Sequence, residues 1–195
     1  MKKEIMRSQL IDGTIRVIAR DGLEKATTKL IGLETSTNEA YIYRCFSNKE
    51  DMFAKVFDSL DEELENVVKQ NVPVLFKQEL EAEERCRKAF TSVWRFLLGN
   101  QDKCLTFVRY YYSPYFKNYS QEIHNRRYES LVEELKRAFR DEANVWMLLN
   151  HILNVMLDFA VKVFSGDVPD NDDTAEHVFR LVYVSVQQYF RENKA

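Results

Sequence analysis

Thr37, Asn38, Glu39, Ala40, Tyr41 and Arg44 crowd the front of one short predicted helix. They lie within Thr27–Glu50, TTKLIGLETSTNEAYIYRCFSNKE. Their side chains suit the edges of nucleic-acid bases. Arg44 matches guanine or a phosphate, Asn38 pairs with adenine, Glu39 accepts from cytosine, and Tyr41 packs on a thymine methyl. Glu39 has a second reading, as part of a helix cap. Two short helices joined by the polar run Thr35-Ser36-Thr37-Asn38 match the motif that lays a second helix in a major groove. The same pattern also occurs in helical proteins that never touch DNA.

A second group of side chains suits an apolar ligand. Phe90, Trp94, Phe107, Tyr110, Tyr111, Tyr115, Phe116, Tyr128 and Trp146 fall in the middle of the chain. Ligand pockets are mostly apolar with a few polar anchors. Asn150 and Asn154, one turn apart in an apolar helix, could supply the anchors, and Asp158 extends the line. Rings at helical spacing equally form a core, and Asn150 equally bonds across a dimer. The candidate effector contacts are Phe90, Trp94, Phe107, Tyr110, Tyr111, Tyr128, Asn150 and Asn154. So many rings suit a flat or apolar molecule, including one with a cationic centre held by ring faces.

Catalysis has little to work with. His124, His151 and His177 are far apart and belong to no H-E-x-x-H or Glu-x-x-His pattern. No G-x-S-x-G or glycine-rich phosphate loop occurs. Cys45, Cys86 and Cys104 are odd in number and form no C-x-x-C, so a disulfide framework or zinc site is not expected. No cofactor, metal or catalytic residue is assigned. Reduced thiols fit the cytoplasm. No apolar run reaches the roughly 20 residues of a membrane span, and the start MKKEIMRSQL lacks a signal-peptide core.

The elements that must position these groups are helical. Of 195 residues only 5 are Gly and 3 Pro, and apolar residues recur at helical spacing, which predicts an all-α fold. A first helix is expected over about Lys3–Asp21, with an apolar stripe through Ile11, Ile15 and Ile18, ended at Gly22. A second starts at a Thr27 or Thr28 cap and runs to Glu34. A third runs from Asn38 or Glu39 to Cys45. Ser47-Asn48-Lys49-Glu50 reads as a capping box for a fourth, which Pro73 stops. Further helices are predicted over 80–98 and 102–112, then from an Asn118 or Ser120 cap to Arg140, with Ile123, Tyr128, Leu131, Leu135 and Phe139 inward. The last two, 145–164 and 178–190, are apolar around most of their circumference. They need a partner, most simply a second copy of the chain.

The stretch Ala26–Phe53 resembles the N-terminal motif of the tetracycline-repressor (TetR) family of bacterial transcription regulators. The matching features are Thr27, Ile31, Asn38, Ile42-Tyr43, Phe46 and Ser-Asn-Lys-Glu at 47–50, with Gly22 and the helix before it. The resemblance implies that Tyr43, Lys49 and Thr27 or Thr28 bind phosphate. It also implies an effector pocket in the later helices, and repression as the usual activity. The chain departs from the pattern at Ser36 and Ala40, where the family usually has Gly, at Cys45, usually His, and at Gly32, usually Ala. Ser36 is therefore expected to hold a left-handed conformation at some cost.

Charge is divided unevenly along the chain. The chain carries a net charge of −3, but residues 1–50 hold 9 Lys+Arg against 7 Asp+Glu, while the remainder holds 19 against 24. The expectation is an all-α protein of about nine helices. Residues 1–48 form a three-helix helix-turn-helix DNA-binding domain, and 49–195 a helical domain for effector binding and dimerisation through the last two helices. Its partners are a double-stranded DNA operator, a small-molecule effector and a second copy of the chain, with no membrane. The alternative is a helical adaptor or ligand-binding bundle without sequence-specific DNA binding.

Overall fold

A computed structural model describes residues 2–191. Its helices are α1 (Lys2–Asp21), α2 (Thr28–Glu34), α3 (Glu39–Cys45), α4 (Lys49–Asn71), α5 (Ala82–Gly99), α6 (Gln101–Tyr111), α7 (Gln121–Leu135), α8 (Val145–Ser165) and α9 (Asp172–Val186). Among the described residues there is no strand, only an isolated bridge between Phe139 and Phe190. The all-α expectation of about nine helices holds.

Local chemistry explains most boundaries. Thr27 caps α2 by accepting from Leu30 N–H, and Asn38 caps α3 by accepting from Ala40 N–H at 2.7 Å. Gly22 leaves α1 with φ +87°. The cap of α4 falls one residue later than the Ser47 box: Asn48 accepts from Asp51 N–H at 2.7 Å, and Asp51 reaches back to Ser47 N–H at 2.9 Å. Pro73 stops α4 two residues early, and a 3-10 turn over Val72–Phe76 follows, with the proline in its first turn.

Helix α7 differs from expectation at both ends. A π turn over Phe116–Ser120 feeds it directly, and the Ser120 hydroxyl is turned inward to Tyr110. It ends at Leu135, so Phe139 lies beyond it but is still buried, whereas Ile123 is exposed. Helix α9 begins six residues before the predicted start because Asn171 caps it, accepting from Thr174 N–H. Helix α8 is long and apolar enough to cross a membrane by length and composition alone. Polar residues at Asn150, His151, Asn154, Asp158 and Lys162 interrupt it, and it packs on α5 and α9.

The chain forms two compact units. The first comprises Met1–Glu63 and Asp102–Asn125. Its core buries Leu10, Ile18, Ile31, Ile42, Met52 and Phe53 almost completely. Each such side chain contributes about 1.5–3 kcal/mol when fully buried. Helix α6 is fastened to α1 through polar groups. Thr106 Oγ1 donates to the Ile15 carbonyl at 3.0 Å, and Arg109 donates to the carbonyls of Ile18 and Ala19. Phe57 stacks on Tyr110 at 4.8 Å and meets Phe107 and Phe116 at 5.0 and 5.4 Å. Beside this cluster the buried Asp61 carboxylate bonds His124 Nδ1 at 2.8 Å.

The second unit comprises Leu64–Gln101 and Arg126–Ala195. Val72, Tyr128, Leu131, Leu135, Phe139, Val145 and Leu149 form one of its apolar clusters. Glu83, Arg87, Glu176 and Arg180 make an ion-pair lattice between α5 and α9. The arginines hold both carboxyls below the usual range. The segment after α9 is tied back by Arg140 N–H to Tyr189 O at 2.8 Å and Arg191 N–H to Ala138 O at 3.0 Å.

Candidate nucleic-acid interface and ligand cavity

Helix α3 is held by two apolar anchors and leaves its other faces bare. Ile42 and Phe46 are buried, while Asn38, Glu39, Ala40, Tyr41, Tyr43 and Arg44 are all exposed. A helix of two turns reaches the core along one stripe only, so the remaining residues face outward by geometry. Tyr43 at 56% exposure is not a core residue, and Phe46 at 2% is.

The exposed groups are partly organised among themselves. The Arg44 guanidinium lies 4.9 Å from the Tyr41 ring centre, which pre-orients a flexible side chain. Thr28 Oγ1 donates to Glu39 Oε2 at 3.2 Å, tying the start of α2 to the start of α3. Glu39 therefore serves this bridge, and Asn38 is the cap. The Asn38 carbonyl oxygen is spent on that cap. Thr37 Oγ1 donates to Thr35 O at 3.0 Å, inside the turn. Lys49 sits in the first turn of α4 with its ammonium 5.0 Å from the Phe53 ring centre. Thr27 is exposed at the head of α2.

The turn has its own geometry. Ser36 has φ +51°, the one non-glycine residue with positive φ among the described residues. Gly32 is buried, and a Cβ there would stand 2.7 Å from the Thr37 carbonyl oxygen. Thr37 N–H bonds the Gly32 carbonyl at 2.8 Å. Glycine at 32 thus lets the turn fold back onto its own helix, a second departure that accompanies the serine at 36.

The second unit contains a cavity of about 110 Å³. Its wall is built from the end of α4 with the 3-10 turn after it, and from α5, α7, α8, α9 and Phe139 and Phe190 beyond the helices. Of the candidate effector residues, Phe90 lines it. Trp94 is stacked behind Phe90 at 5.9 Å. Tyr128 packs edge-on against Trp146, and Asn150 donates to the Trp146 carbonyl of its own helix. Asn154 is exposed. Phe107, Tyr110 and Tyr111 belong to the ring cluster around Phe57 and Phe116 in the first unit. The wall residues that sequence reasoning missed, such as Val93, Leu149, Met156 and Val182, are ordinary aliphatics. Nothing in their type or spacing sets them apart from core.

Residues 10–56 match the family model described as bacterial regulatory proteins, tetR family. A stretch of 46 residues is 46% identical to the HTH-type nicotine-responsive transcriptional repressor HdnoR of Paenarthrobacter nicotinovorans, spanning 24% of this chain and 24% of that protein. Over 140 residues the chain is 25% identical to an uncharacterised HTH-type transcriptional regulator of Haemophilus influenzae, covering 70% of this chain and 71% of the other. The fold superimposes on a TetR family transcription regulator from Marinobacter aquaeolei with a TM-score of 0.77 at 13% identity, covering 98% of this chain and 100% of that one.

Proposed function

We propose that this chain is a DNA-binding transcriptional regulator of the TetR family and works as a homodimeric repressor in the cytoplasm. In this reading a small, largely apolar or aromatic effector releases it from a near-palindromic operator. Residues 1–48 do the DNA binding, and residues 49–195 bind effector and dimerise. The observation that carries the reading is the exposure of Asn38, Glu39, Ala40, Tyr41, Tyr43 and Arg44 on a helix fixed by Ile42 and Phe46. A recognition helix needs that arrangement, and a packing helix does not.

Base contacts fall to Thr37, Asn38, Glu39, Ala40, Tyr41 and Arg44, and phosphate contacts to Thr27, Thr28, Tyr43 and Lys49. Lys49 sits where the first-turn N–H groups of α4 favour an anion. Dimerisation is supported by α8 and α9, which expose Met147 at 65%, Leu181 at 54% and Val184 at 57%. Large apolar side chains left in water on adjacent helices mark an interaction surface. Two copies would set their α3 helices about 34–36 Å apart for successive major grooves. An effector acts by binding a state with another spacing more tightly, through α4, which runs on from one unit into the other.

Gel shift on DNA flanking its own gene, across a salt series, tests the reading. Sequence preference with a steep salt slope is expected. Salt-independent or absent binding would sink it. Sizing at micromolar concentration should give twice the chain mass.

A further inference from the structure

The geometry of the cavity in the second unit points to an uncharged occupant: a small molecule with a hydrocarbon body, alkyl or single-ring, and no ammonium, carboxylate or phosphate. This rests on the reading of that unit as effector-binding and narrows it.

The wall is the first argument. It contains no Asp, Glu, Lys, Arg or His. An ion placed there loses its water and finds no counter-charge, which costs several kcal/mol. The one side-chain amide on the wall, Asn71, has spent its N–H groups on the Val67 carbonyl at 2.8 Å and the Ser92 hydroxyl at 2.9 Å. It has no donor left for a carboxylate or phosphate. Cys86 offers no anion either, since burial pushes its thiol up to about 11.

The rings are the second argument. A cation can be held without a carboxylate if ring faces surround it. Here the faces cover one another. Phe90 stacks on Trp94 and meets the Phe179 ring edge-on at 5.4 Å. Phe179 stacks on Tyr183 at 5.5 Å and already carries the Arg87 guanidinium 4.1 Å from its centre. Phe139 and Phe190 stack on each other at 5.0 Å. Arg87 already lies over the Phe179 ring, so a second cation there would meet like charge.

Size is the third. About 110 Å³ is far more than one water needs, yet a water requires two to four polar partners that this wall does not supply. Dry apolar cavities of comparable size take up small hydrocarbons.

The test uses three probes with one tail: 1-octanol, octanoate and octyltrimethylammonium, titrated into the full chain by calorimetry and followed by thermal unfolding. Octanol is expected to bind and to raise Tm by roughly 3 to 5 °C at ten times its Kd. The two ions should bind about tenfold or more weakly. Ala89→Phe, which fills the wall from α5, should abolish octanol binding. Because that variant could misfold, a second measurement uses the unaltered chain: saturating octanol should slow alkylation of Cys86, read by peptide mass spectrometry. Equal or tighter binding of either ion overturns the proposal, as does no binding by any probe or unprotected Cys86. Octanol binding that leaves operator affinity unchanged sinks effector control but keeps the ligand class. An ion that binds and releases the operator does the reverse.

Discussion

Arg109 reaches from α6 to the last turn of α1, donating from Nη1 to the Ala19 carbonyl at 2.8 Å and to Ile18. Those carbonyls close the helix that Gly22 then terminates, and Gly22 N–H shares the Ile18 oxygen at 2.9 Å. The last carbonyls of a helix are the negative end of its dipole, so a guanidinium there is favourable twice over.

Replacing Arg109 with Ala is therefore expected to destabilise the first unit by about 1.5–3 kcal/mol, the range for hydrogen bonds to a charged group. Thr106→Val, which removes only the neutral bond to Ile15, should cost about 1 kcal/mol. Urea unfolding followed by circular dichroism would order the two. A larger effect from Thr106→Val would refute the account.

The turn between α2 and α3 makes a sharper prediction. Ser36→Gly should stabilise by about 1 kcal/mol, because glycine adopts the left-handed region without the Cβ cost. Gly32→Ala should destabilise by about 1–3 kcal/mol, since its Cβ would meet the Thr37 carbonyl, a backbone atom that cannot swing away. Gly99→Ala is the control: nothing lies within 4 Å of its Cβ, and a neutral or slightly stabilising change is expected. Three melting curves decide it.

Residues 27–46 were legible because their boundaries are written in side chains. Of the caps left open, Thr27 rather than Thr28 takes α2 and Asn38 takes α3, and Ser36 holds the left-handed conformation that a missing glycine implied. The start of α4 was legible only to within one residue, since Ser47 and Asn48 are both good caps and only the reach of Asp51 decides between them. The π turn before α7 has no such signature: Ser120 looks like a cap but serves the Tyr110 hydroxyl. Phe107 and Tyr110 on the ring-rich α6 read equally well as pocket or core, and the structure packs both against Phe57, fifty residues away on α4. The cavity wall draws on elements from Val68 to Phe190, so no local window of sequence contains it.

Alkaline pH should weaken the first unit. Burial pushes the Cys104 thiol up to about 12 from an ordinary value of 9.0, and it raises Tyr110 and Tyr111 as well. The folded state thus holds these protons more tightly than the unfolded state does. The resulting stability is complete below pH 9 and is lost as pH climbs from 9 toward 12. Urea midpoints should fall steadily above pH 9. Cys104→Ala starts from a lower midpoint because it leaves a cavity, but its decline should be shallower. Parallel declines would show that the thiol contributes nothing.

Asn38 allows cap and contact to be separated. Asn38→Ala removes both, so lost DNA binding would say little. Asn38→Asp keeps an oxygen to accept from Ala40 N–H and suits the positive end of α3. It loses the amide donor needed for adenine and adds a negative charge facing DNA. Unchanged melting with operator affinity down about tenfold is expected, since the Asn38 oxygen is held by the cap and only its amide donor can reach a base, and an acceptor left without its donor costs about 1–3 kcal/mol. Lys49→Ala should behave differently, weakening operator and random DNA alike and lowering the salt slope by about 1. Arg44→Ala discriminates between the two roles left open for that side chain. A loss confined to operator DNA assigns it to a guanine, and a uniform loss assigns it to the backbone. Full operator affinity in both Asn38→Asp and Arg44→Ala would remove α3 as the reading element.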